Sequence, residues 1–187
     1  MTARVLLTSY IAMLRGINVG GQKRIRMDDL RALMQGLGYG RVRTYIQSGN
    51  LLFEGRKGTA RSHEGRIEQA IADQYGYQVA CLIRTAPEMK EIASANPFLQ
   101  RSGYDPAKFH VTFLDGLPKP NLAKELAEVV SGKDEIRVRG GEVYLFCPNG
   151  YGKTRYSNTF IERKLGLSAT TRNWRTVRQL LEMASAP

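Results

Sequence analysis

No apolar run in this 187-residue chain approaches the ~18 residues that a membrane span needs. Near the N-terminus the run Val5, Leu6, Leu7 is too short for the apolar core of a signal peptide, and Thr8 and Ser9 interrupt it. These absences set the expectation of a soluble, cytoplasmic protein. Histidine is scarce. His63 stands beside an expected helix start and His110 inside a strand-like run, with no cysteine or acidic cluster at metal-ligand spacing around either. No metal is therefore expected, and His110 reads as a satisfied core residue rather than a base. The two cysteines, Cys81 and Cys147, lie in the apolar stretches 79–83 and 143–147 and read as buried free thiols that pack as small hydrophobes, rather than as a disulfide. Phosphate-loop and dinucleotide signatures are missing too. The GINVG stretch at 16–20 lacks the Gly-Lys-Ser/Thr ending and the full dinucleotide spacing, and GYGKT at 150–154 has the ending without the spacing. With no convincing carboxylate pair either, no catalytic template fits, no cofactor is implied, and whether the chain is an enzyme stays open.

What is present is a core and an excess of positive charge. A hydrophobic content of 42% suffices for one large domain or two small ones. The 28 Lys and Arg exceed the 17 Asp and Glu to give +11, spread over both halves, so no basic tail explains it. Such a field favours phosphates, nucleic acid or anionic surfaces as encounter partners.

The strongest local signal is the break of the apolar run Tyr10–Leu14 into Arg15, Gly16, Ile17, Asn18, Val19, Gly20 and Gly21. A strand ends there, and the face formed by Met27, Leu30, Leu33, Met34 and Leu37 predicts the helix that follows, stopped by Gly38. Glycine lets backbone approach a ligand closely, and a helix start offers unpaired N–H groups to an anion. Strands at 42–46 and 51–53 flank a turn of Gln47, Ser48, Gly49 and Asn50. A helix is read from Glu64 through Ile67, Ile71 and Tyr75, then a strand at 79–83. Thr85 and Glu88 form a capping box for a helix reaching about Ala95.

After Asn96, Pro97 and Phe98 the same order of elements returns. A strand at 109–114 leads to a helix through Leu122 and Leu126, a hairpin around Gly140 and Gly141, a helix at 158–165, a short strand at 167–170 and a last helix with Trp174, Val177, Leu180 and Leu181 on one face. Both halves read β-α-β-β-α-β-α, so the fold class expected is α+β: two ferredoxin-like subdomains, each βαββαβ plus an extra helix, related by internal duplication. The first is assigned to residues 1–98, a linker to 99–107 and the second to 108–187.

Strands one and two are taken to run the same way, strand three to return, and strand four to run with strand one. That places the loop 15–21, the turn 47–50 and the exit of strand four, Arg84 and Thr85, on one edge of the sheet. The candidate ligand-binding residues are Arg15, Asn18, Gly20, Gly21, Gln47, Ser48 and Asn50, joined in a cleft by Thr171, Arg172 and Asn173. Lys23, Arg24 and Arg26 add charge. The amides, hydroxyl and guanidinium suit a phosphate, a carboxylate or a nucleotide edge. The same Asn and Ser groups also suit turn building through bonds to their own backbone. In the second half Asp115–Pro118 replaces the arginine and double glycine. Its basic cluster, Lys153, Arg155, Arg163 and Lys164 with Tyr156, suits a nucleic-acid strand held by phosphate contacts and stacking.

Four stretches, LRGINVGG at 14–21, RTYIQSGN at 43–50, NPF at 96–98 and FIERKLG at 160–166 with ATTRNW at 169–174, resemble the bacterial family called domain of unknown function 1697. The resemblance spans essentially the whole chain. It implies two similar α+β subdomains, and it implies neither an activity nor catalytic residues. The function expected is binding of a phosphate-bearing small molecule or nucleotide at the Gly-rich edge. The alternatives are a sequence-nonspecific nucleic-acid-binding module and an enzyme of unassigned reaction. No membrane partner is expected, and the oligomeric state is not legible.

Overall fold

The computed structural model describes residues 7–185; Val5 and Leu6 of the short N-terminal run lie outside the described residues. The first half comprises β1 (Leu7–Leu14), α1 (Met27–Gly36), β2 (Gly40–Tyr45), β3 (Asn50–Arg56), α2 (Ala60–Tyr75), β4 (Cys81–Thr85) and α3 (Ala86–Ser94). The second comprises β5 (Phe109–Leu114), α4 (Pro120–Ala127), β6 (Glu135–Arg139), β7 (Glu142–Phe146), α5 (Asn158–Leu165), β8 (Ala169–Asn173) and α6 (Trp174–Ser185), with 3₁₀ turns at Pro106–Lys108 and Tyr151–Lys153. The duplicated β-α-β-β-α-β-α order is as the sequence pattern implies.

The local reasons are chemical. Tyr10 to Leu14 are all buried, as a central strand covered on both faces requires, and Tyr10, Ala12 and Leu14 share the helix-side core. Helix α1 buries Met27, Leu30 and Met34, one stripe at helical spacing. Helix α2 starts four residues before the sequence reading, because the Thr59 hydroxyl caps it by accepting from Ser62 N. His63 therefore lies inside this helix rather than beside its start, buried between the Tyr39 hydroxyl (2.9 Å) and the Arg56 carbonyl (3.1 Å). The capping box at α3 forms as read: Thr85 N donates to Glu88 Oε2 (2.7 Å), and Glu88 N to Thr85 Oγ1 (3.4 Å). Both cysteines are buried free thiols.

Two four-stranded antiparallel sheets result, ordered β2-β3-β1-β4 and β6-β7-β5-β8. This is the α+β, ferredoxin-like arrangement, duplicated down to backbone hydrogen bonds. Leu14 N donates to Gly49 O as Leu114 N donates to Gly141 O, and Arg15 N to Ala80 O as Asp115 N to Ser168 O.

One expectation about direction fails. Strand β4 is antiparallel to β1. The crossover through α2 returns the chain in the direction of β3, and β3 opposes β1. The β1 loop is therefore met by the start of β4, at Ala80, and Arg84 and Thr85 lie toward the opposite end of the strand.

The chain forms two compact units, one taking in the chain up to Met89 and again from Leu180, the other Lys90–Gln179. Among the described residues no helix is long and apolar enough to cross a membrane.

Candidate functional site: a hollow at the glycine loop

The loop after β1 is shaped by one side chain. Asn18, at φ +55°, donates through Nδ2 to Ile25 O (2.9 Å) and Gln47 O (2.8 Å), while its Oδ1 accepts from Ile25 N (2.9 Å). A tight turn, Gln22 N to Val19 O at 3.0 Å, closes the excursion between. Asn18 thus ties the glycine loop to the hairpin tip, and the two segments are spatial neighbours.

The tip is held from the other side by Leu14 N donating to Gly49 O (2.8 Å). Gly49 sits at φ +74°, and a Cβ there would lie 2.8 Å from both Leu14 Cβ and Ile17 Cδ1. Only glycine meets the left-handed backbone and the close approach together. Buried Asn50 donates through Nδ2 to Tyr45 O (3.1 Å) and Ser48 Oγ (2.9 Å), so it builds the turn rather than facing solvent.

Between loop and tip lies a hollow of about 580 Å³, within the range of small-molecule sites. Of the residues singled out in the sequence, Asn18, Gly21 and Gln47 line it; Arg15, Gly20, Ser48 and Asn50 are not in its wall. Its charge comes from Arg24 and Arg26, with Asp29 opposing them in sign. Arg24 Nε donates to Gly21 O (3.1 Å), which lays the guanidinium over that glycine. Among the described residues neither Arg24 nor Arg26 pairs with a carboxylate, and Asp29 pairs with no cation, whereas neighbouring Asp28 pairs with Arg31.

Tyr75 completes the wall. It comes from the end of α2, and Lys23 Nζ donating to Gln78 O (2.5 Å) links that connection to the glycine loop. Its ring stacks on Tyr77 with centroids 6.2 Å apart and planes 14° apart, and its hydroxyl accepts from Gln74 Nε2 (3.1 Å). Burial, with the Asp29 carboxylate adding to it, raises the Tyr75 hydroxyl above its ordinary pKa, so it stays a proton donor at neutral pH.

Sequence reasoning missed Tyr75 and Asp29. The signal for Tyr75 was the strand direction: once β4 opposes β1, the connection from α2 must arrive at the glycine loop.

The remaining candidates belong to the second unit. Thr171 Oγ1 donates to Asn158 Oδ1 (2.6 Å), accepts from the Tyr151 hydroxyl (3.0 Å) and bonds Thr112 Oγ1 (2.7 Å). Buried Arg172 donates to Thr170 Oγ1 (2.8 Å) and Thr171 O (2.9 Å); burial pushes its guanidinium down to about 10, which leaves it charged at neutral pH. Asn173 Oδ1 caps α6 by accepting from Thr176 N (2.8 Å). In the basic cluster Lys153, Arg155, Arg163 and Lys164 are exposed. Arg155 and Arg163 place their guanidinium carbons 5.2 and 5.8 Å from the Phe160 ring centroid. Tyr156 is only 1% exposed and donates to Val129 O, so its ring is closed to a nucleic-acid base. His110, stacked on Tyr151 with its Nδ1 against Lys108 O (3.2 Å), is half-buried and lowered in pKa by that burial.

A family model described as a protein of unknown function, DUF1697, matches residues 7–144, about three-quarters of the chain. The chain belongs to this family. All the residues lining the hollow, Asn18 to Tyr75, fall within the stretch that matches the DUF1697 model. Among solved structures, the chain is similar to a conserved bacterial protein from Streptococcus pneumoniae, at 23% identity and a TM-score of 0.75 over 96% of this chain and 100% of that one. At that identity the likeness shows the fold that the two share. Comparison with curated proteins brought no match.

Proposed function

We propose that this DUF1697 chain is a cytoplasmic protein that binds a phosphate-bearing small molecule or nucleotide in the hollow between the glycine loop and the hairpin tip. One observation carries the reading: two guanidinium groups, Arg24 and Arg26, line a ligand-sized hollow without a carboxylate partner among the described residues. Arginine binds phosphate oxygens bidentately, and a charge-assisted bond of this kind is about twice as strong as a neutral one. The exposed amide of Gln47 adds a donor on the same wall. Two buried free thiols accord with a reducing compartment.

A thermal-shift screen of nucleotides and phosphorylated metabolites tests the reading. A ligand at a hundredfold excess over its Kd stabilises the folded state by about 2.7 kcal/mol. Arg26→Ala should abolish the shift while leaving the melting temperature of the free protein unchanged, since Arg26 is exposed. A shift that survives both Arg24→Ala and Arg26→Ala places binding elsewhere and refutes the proposal.

A further inference from the structure

The hollow is chemically two-sided, and this narrows what it can hold. Arg24 and Arg26 present cations, while Asp29 presents a carboxylate that pairs with no cation among the described residues. Asp29 lies in the first turn of α1, where the helix dipole stabilises its negative charge. A ligand that is anionic throughout would meet repulsion at that wall. An ionised carboxylate only accepts hydrogen bonds, so the ligand group facing it must donate: a hydroxyl or an amino group.

The third wall is aromatic. Tyr75 lines the hollow, and its near-parallel packing on Tyr77 holds it in place. Its hydroxyl accepts from Gln74, and among the described residues its own proton meets no acceptor. The Gln47 side-chain amide, which can both donate and accept, is likewise unbonded among the described residues. A single chemical class answers all of these features: a phosphate for the arginines, hydroxyl or amino donors for Asp29, a flat heterocycle for Tyr75 and a polar base edge for Gln47.

Resting on the phosphate reading above, we infer that the ligand is a mononucleotide, its phosphate against Arg24 and Arg26, its base against Tyr75 and its ribose or amino donors against Asp29. The occupant is thereby distinguished from sugar phosphates, whose puckered saturated ring offers no flat aromatic face to the tyrosine, and from inorganic phosphate, which offers nothing to the tyrosine or to Asp29. The class follows from wall chemistry alone and includes no reaction.

Isothermal titration of the full chain with the four 5′-mononucleotides, adenosine, ribose 5-phosphate and inorganic phosphate tests this. At least one mononucleotide should bind tenfold or more tightly than ribose 5-phosphate, and Tyr75→Leu, which keeps an apolar side chain against Tyr77, should bring it down to the ribose 5-phosphate level. Asp29→Asn should weaken the mononucleotide and leave inorganic phosphate unaffected or tighter. Equal affinity for ribose 5-phosphate and every mononucleotide, with both lost in Arg26→Ala, overturns the mononucleotide and leaves the phosphate reading standing. Mononucleotide binding indifferent to both Tyr75→Leu and Asp29→Asn overturns it as well. Adenosine binding as tightly as its 5′-monophosphate, or no binding by any of the compounds, removes the phosphate reading and the mononucleotide together.

Discussion

Gly49 is the residue on which the hairpin tip turns. Alanine there must accept φ +74° and a Cβ 2.8 Å from Leu14 and Ile17, so Gly49→Ala should cost about 2–4 kcal/mol, combining left-handed strain with overpacking. A drop in the urea midpoint at constant slope is the expected sign. Ile46 is the converse case: a β-branched residue at φ +48°, half exposed, three positions earlier in the same turn. Asparagine tolerates that backbone better, so Ile46→Asn should stabilise by about 1 kcal/mol, read as a raised midpoint; a lowered midpoint would show that the isoleucine side chain earns its place through packing. Glu64 carries a pH signature. Burial raises its carboxyl above the ordinary value even though Oε1 accepts from Ile83 N (2.9 Å). A raised carboxyl holds its proton more tightly when folded, so its contribution weakens as pH climbs through the carboxylate range and the charge is forced into the core. Glu64→Gln keeps an acceptor and removes that charge, and should leave the protein as stable at pH 7 or more so. Glu64→Leu orphans the Ile83 amide and should destabilise by about 1–3 kcal/mol.

Among elements, what could be read from sequence depended on how local the determinant was. The α1 stripe, the Thr85 and Glu88 capping box and the limits of α5 follow from contacts within a few residues, and they form as read. The start of α2 was hidden because residues 56–63 carry little apolar periodicity, and a single hydroxyl, that of Thr59, decides where the helix begins. Thr59→Ala should cost about 1 kcal/mol and fray the first turn, visible as faster amide exchange at Ser62 and His63. Strand direction is not local at all. It depends on which strands pair, and reversing β4 replaced Arg84 and Thr85 by Ala80 and Tyr75 at the glycine loop. The polar residues of the loop were legible as a group but not their division of labour. Asn18 and Asn50 spend their amides on Ile25, Gln47, Tyr45 and Ser48, while Arg24, Arg26 and Gln47 face the hollow.

At the scale of the whole molecule, the duplication is one of backbone and not of chemistry. The second half repeats the hydrogen bonds of Leu14 and Arg15 at Leu114 and Asp115, yet it offers an aspartate where the first has an arginine. The excess of +11 is likewise spread along the chain. With Tyr156 buried, its basic cluster offers charge without that ring as a stacking platform. Mixed-sequence DNA or RNA should therefore bind weakly at ~50 mM salt and not measurably at ~200 mM, by fluorescence anisotropy. Tight binding that resists salt would make the nucleic-acid reading the better one. The most direct test of the central claim is a ¹⁵N–¹H correlation spectrum of the intact chain recorded during titration with each of the four 5′-mononucleotides and then with inorganic phosphate. Shifts should concentrate at the amides of Gly21, Arg24, Ile25, Arg26 and Gln47 and saturate; no shifts at millimolar ligand, or shifts confined to the basic cluster around Arg155 and Arg163, would contradict a phosphate site at the glycine loop.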